Sequence, residues 1–160
     1  MTHTKLRFVS LALVSLLLSA PFAVIGLATP VLLAPLQFTT VAKGTQSAWP
    51  NGEAYYVIKN FTLWRRIWEL HSPGTTPPTI DFSADDVYAA FAGAKPTTGY
   101  DIETVGLDAS STVHWDVHAT QPGTNCNVNP IPTKPFHFVK APKTGLLALI
   151  FVVNETVNCH

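Results

Sequence analysis

The sequence predicts a mainly β fold, an antiparallel sandwich or open barrel with one short helix, behind an N-terminal hydrophobic leader or anchor helix. Three observations carry this expectation. Runs rich in aromatic and β-branched residues recur between short Pro-, Gly- and Thr-containing connections. Two of those runs, 100–105 and 113–118, alternate apolar and polar residues with the period of a half-buried strand. Beyond the leader, only 63–71 places its apolar residues at helical spacing.

The elements follow in chain order. Pro30 and Pro35 in "TPVLLAPLQF" stiffen the chain, and 29–50 reads as a linker and lead-in segment to a single domain over 51–160. "AYYVIKN", 54–60, has the composition of a strand. In "FTLWRRIWELHS", Thr62 is available as an N-cap, and Leu63, Trp64, Ile67, Trp68 and Leu70 share a face, so Leu63 to His71 is expected as a helix. Trp64 and Trp68, one turn apart, are expected to anchor it in the core, with His71 a favourable charge partner for its C-terminal end. "SPGTTPPT" is a loop, and a strand runs from Val87 to Gly93, with adjacent Asp85 and Asp86 as its solvated start.

"KPTTGY", 95–100, then connects two strand-like runs. Pro96 fixes its own φ and extends Lys95, while Gly99 can adopt positive φ. Such a loop is either a geometric turn with Tyr100 as its core anchor, or a recognition tip displaying Thr97, Thr98 and their backbone groups, since a rigid loop loses little entropy on binding. In "STVHWDVHA", Val113, Trp115 and Val117 fall on one face and His114, Asp116 and His118 on the other. "QPGTNCNVNPIPTKP" is a long connection. "FHFVKAPKTG" and "LLALIFVVN" read as a closing pair around a turn at Pro142 to Gly145, and the unbroken "LLALIFVV" reads as a central strand covered on both faces.

Charge and targeting signals bound the function. Ten Lys and Arg balance ten Asp and Glu, and no basic cluster exceeds Arg65-Arg66, which argues against a nucleic-acid partner. Lys5 and Arg7 precede an uncharged stretch, Phe8 to Ala28, with the layout of a signal peptide cleaved after Ala28; at roughly 20 residues it could equally span a bilayer as an uncleaved anchor. Either way the domain is expected to be extracytoplasmic, secreted or held at the outer face of the membrane. Cys126 and Cys159 fit that compartment as a structural disulfide. Asn60-Phe-Thr62 and Asn154-Glu-Thr156 are glycosylation sequons where the machinery exists.

Motifs for chemistry are sparse. GxSxG, HExxH, CxxC and a glycine-rich phosphate loop are all missing from the sequence, so neither an enzyme nor a bound cofactor is expected. The best metal candidate is "HWDVH", because residues two apart on a strand point the same way and His114, Asp116 and His118 could share an ion. It lacks an evident fourth ligand, and alternating polar residues are ordinarily a solvent face, so no metal is assigned.

"NFTLWRRIWELH", "IDFSADDVYAAFAGAKPTTGYDIETV" and "KPFHFVKAPKT" resemble, in order and spacing, the C-terminal domain of the protease-complex subunit PrcB, over roughly Tyr55 to Phe151. That resemblance implies an exported, non-catalytic protein-binding domain, an accessory or stabilising subunit of an extracytoplasmic protease or envelope complex. Its partner would be a protein, an exported protease being one candidate, with membrane contact only through an uncleaved N-terminal segment. The partner-binding residues would be Lys95, Pro96, Thr97, Thr98, Gly99 and Tyr100. "KPTTGY" and "FHFVKAPKTGLLALIFVV" are also similar to chagasin-like inhibitors of papain-type proteases, which implies an immunoglobulin-like sandwich and, as an alternative function, protease inhibition.

Overall fold

The computed structural model describes residues 34–159; the expected signal peptide or anchor, 1–28, lies outside them. Eight strands and one helix follow in the order β1 (Ala34–Pro35), β2 (Thr39–Gly44), β3 (Ala54–Ile58), α1 (Phe61–His71), β4 (Asp85–Phe91), β5 (Asp101–Ala109), β6 (Val113–Pro122), β7 (Phe136–Pro142) and β8 (Ala148–Val157). They form two four-stranded sheets packed as a sandwich, ordered β1-β5-β6-β8 and β2-β7-β4-β3. Among the described residues, no helix is long and apolar enough to cross a membrane.

Period-two alternation builds the space between the sheets. Ile102, Leu107, Val113, Trp115 and Val117 turn inward from one sheet to meet Tyr88, Ala90, Val139 and Ala141 from the other. A register shift between Thr104 and Gly106 resets β5, so that Leu107 continues the buried face and Val105 points out. The second sheet is covered on its other face as well. There α1 lays Trp64 and Ile67 over Val87, Ala89, Phe91, Phe136 and Phe138, with Trp49 stacked on Phe91 at 4.3 Å between ring centroids. β4 and β7 are therefore covered on both sides, and the burial of β4 is unbroken from Asp86 to Phe91.

Several expectations are corrected. Residues 34–49 are not a linker, for they supply β1, β2 and the buried Trp49. α1 starts at Phe61 and its N-cap is Asn60, whose Oδ1 accepts the Leu63 N–H at 2.9 Å; Thr62 lies within the first turn. Asp86 is not solvated. Period-two geometry turns it into the sandwich while Asp85 meets Lys140 at 3.0 Å. β7 and β8 are not a hairpin but belong to different sheets, and β8 runs parallel to β6 in an otherwise antiparallel fold. Nor is β8 central, since it forms the edge of its sheet, with Leu149, Ile150, Phe151 and Val153 all exposed. Apolar composition on both faces reports the absence of charges, not the presence of covering layers.

Candidate functional site

The loop 95–100 crosses from β4 in one sheet to β5 in the other. Four of its backbone groups, on Lys95, Thr97 and Thr98, are taken up by the connection 129–133. Lys95 and Thr133 exchange both backbone hydrogen bonds, at 2.8 and 3.0 Å. The Thr133 hydroxyl donates to the Thr97 carbonyl at 2.9 Å, and Thr98 N–H donates to the Asn129 carbonyl at 3.1 Å. Asn129 N–H donates back to the Thr98 hydroxyl at 3.0 Å. Gly99 sits at φ 91, with a Cβ position only 3.1 Å from the Pro122 side chain, so both conformation and space require glycine there. Tyr100 is half-buried rather than a core anchor, with the Lys95 ammonium 5.7 Å from its ring centroid.

The result is a braced double loop at one end of the sandwich, with Pro96, Gly99, Asn129, Pro130 and Ile131 exposed on it. Thr133 and Asn129 are the residues that sequence reading missed. The Pro-rich "NPIPTK" marked a loop, yet nothing in it pointed to Lys95. The same end holds the Cys126–Cys159 bridge, whose Cα atoms lie 4.9 Å apart, and Asn125 Nδ2 donates to the Cys159 carbonyl. The C-terminal tail is thus fixed beside the double loop.

His114, Asp116 and His118 do lie together on the outer face of β6, half-buried. Each His is engaged by β8. His114 stacks on Phe151 with centroids 5.1 Å apart, and His118 Nδ1 lies 3.4 Å from a Glu155 carboxylate oxygen. Among the described residues, no group of three or more His, Cys, Asp or Glu side chains is arranged to hold a metal ion.

His137, His71 and Asp86 are also buried. His137 on β7 accepts the Thr104 N–H at Nδ1, 2.9 Å, so its proton resides on Nε2, which donates to the Thr40 hydroxyl at 2.9 Å. Burial, reinforced by the positive charge of Lys43, lowers its pKa. His71 is not the charged helix-end partner expected of it. Its ring lies 4.1 Å from that of Phe136 and its Nδ1 meets Ser47 Oγ at 2.8 Å, and burial lowers its pKa to about 4. Asp86 Oδ1 has no hydrogen-bond partner; burial raises its pKa, against the opposing charges of Lys143 and Lys59. The two imidazoles tie separate segments of the chain together.

The fold is a β-sandwich domain with one helix packed on its second sheet, and its braced loop lies at the surface. Residues 87–142, from within β4 to the end of β7, match the protein family described as PrcB C-terminal. The match contains the loop 95–100 and the 129–133 segment that braces it. No curated protein and no solved structure matches the chain, and the resemblance to chagasin-like inhibitors finds no support.

Proposed function

We propose that this chain is an exported, non-catalytic protein-binding domain, an accessory or stabilising subunit of an extracytoplasmic protease or envelope complex. The observation that carries the reading is the braced double loop, which lies inside the family match. Five hydrogen-bonded residues, Lys95, Thr97, Thr98, Asn129 and Thr133, hold the loop in one conformation before any partner arrives, so docking orders little that is not already ordered. Pro96, Gly99 and Ile131 give the tip an apolar, low-charge surface suited to another protein rather than to a nucleic acid or a charged metabolite. The disulfide beside it supports an oxidising compartment.

The test is affinity capture with the full chain from the envelope of the cell that makes it, wild type against Thr97→Arg. The expected result is a protein partner retained by wild type and lost by the variant at unchanged melting temperature. Equal retention of every partner by both forms removes the loop from the interface.

A further inference from the structure

Among the described residues, the outer side of β8 is an unguarded sheet edge. The Leu147 carbonyl accepts the Val113 N–H, and the Val157 carbonyl the Gly123 N–H, both at 2.8 Å, so the odd-numbered residues of β8 direct their backbone groups toward β6. By alternation Ala148, Ile150, Val152, Asn154 and Thr156 direct theirs to the open side. Other edges carry protection: β1 has two residues and a proline, β2 has a register shift beside Lys43, and β3 is five residues long. β8 is ten residues long, pairs with β6 without a register shift, and contains no Lys, Arg or Pro. Six exposed large apolar residues lie on it or beside it: Leu147, Leu149, Ile150, Phe151, Val153 and Val157. Such a patch on one strand marks an interaction surface.

We propose that β8 pairs antiparallel with β8 of a second copy about a two-fold axis at Phe151, joining two four-stranded sheets into one of eight. A two-fold interface brings one patch against itself, and this strand is self-complementary in that register. Phe151 faces its own mate, Leu149 faces Val153, and Ile150 faces Val152. Side chains directly opposite share a face, so inner residues meet inner residues. Moving the axis to Val152 sets Leu149 against Glu155 and Ile150 against Asn154, placing polar groups opposite apolar ones. Moving it to Ile150 keeps apolar pairs but shortens the paired segment to 148–152. Glu155, the only charge on β8, is held by His118 on its own copy, and its mate lies at the far end of the paired strands.

The experiment uses the full chain in its own envelope. Directly opposite residues that do not exchange hydrogen bonds approach to about 4.5 Å between Cα atoms, within disulfide range, and Phe151 is such a residue at the axis. Phe151→Cys should give a reducible band of twice the chain mass on mild oxidation. Val153→Cys should not, since each copy's residue 153 lies opposite Leu149. Phe151→Glu sets like charges against each other and should abolish co-purification of two differently tagged copies, and co-expression with Phe151→Lys should restore it. The proposal is overturned if Phe151→Cys stays uncrosslinked with its Cys126–Cys159 bridge intact, if Val153→Cys crosslinks as well, or if Phe151→Glu copies still co-purify. Crosslinking of Phe151→Cys to a different protein in place of a second copy also overturns it and assigns the edge to a foreign strand.

Discussion

The His137 imidazole on β7 receives the backbone N–H of Thr104 on β5 at 2.9 Å, a hydrogen bond that passes from one sheet to the other. Thr104 in turn accepts the Trp115 indole N–H on its hydroxyl at 3.0 Å, so three strands share one buried polar chain. Lys43 spans the same gap at the surface, 2.8 Å from Asp101 and 3.1 Å from Glu103. Removing the ring leaves the Thr104 amide unsatisfied and a void beside it. His137→Ala is expected to cost about 3 kcal/mol in denaturant melts.

The same ring makes the fold acid-sensitive. His137 and His71 both have folded-state pKa values below their ordinary 6.5, so the unfolded chain takes up protons that the folded chain refuses. Their contribution is complete above pH 6.5 and is lost as pH falls, for His71 through the window from 6.5 to about 4. Melting temperature measured from pH 7.5 to 4.5 should fall across that window. His71→Gln should flatten the fall.

The two helix tryptophans are not equivalent. Trp64 is fully buried, with its indole N–H donated to the Pro78 carbonyl at 2.9 Å, whereas Trp68 is half-buried and donates to the Thr75 hydroxyl at 2.8 Å. Trp64→Ala is expected to cost about 3 to 5 kcal/mol and Trp68→Ala about half that, by urea titration. Equal losses would contradict the packing.

Gly99→Val should lower both melting temperature and partner capture, because a β-branched residue at φ 91 is strained and its Cβ meets Pro122. Thr97→Arg should leave the melting temperature within about 1 °C, since the Thr97 backbone carbonyl, not its side chain, makes the contact to Thr133.

Cys126 and Cys159 should both resist alkylation without reduction, and Cys159→Ser should cost on the order of 3 kcal/mol for a span of 33 residues. Mass spectrometry of the unreduced chain checks the first point and thermal melts the second.

What the residues made legible follows physical reach. Alternation placed Val113, Trp115 and Val117 inside and His114, Asp116 and His118 outside, because period two is a local property of the chain. Two cysteines behind a signal-like leader likewise suffice to expect the bridge. Sheet membership was not legible: whether β8 joins β7 or β6 depends on a connection that crosses the sandwich, and "KTG" looks the same in a hairpin and in a crossing. The unbroken apolar run "LLALIFVV" suggests double burial, yet the strands that have it are β4, which opens with two aspartates, and β7, which carries His137 and Lys140. The loop 95–100 was visible as a turn from Pro96 and Gly99, but its bracing by Asn129 and Thr133 spans more than thirty positions and carries no local signal.

The bridge at Cys159 has a consequence for how copies of this chain can exchange material. β8 is the last of the described strands and lies at a sheet edge, and an edge strand is an easy piece for one molecule to lend another in a domain swap. Once the covalent link closes beyond Val157, β8 is enclosed in a loop anchored at Cys126 and can no longer be traded, though its outer side remains open to addition. Reduced protein kept at high concentration should therefore form dimers in which each chain's β8 sits in the other's sheet, while oxidised protein should form none of that kind.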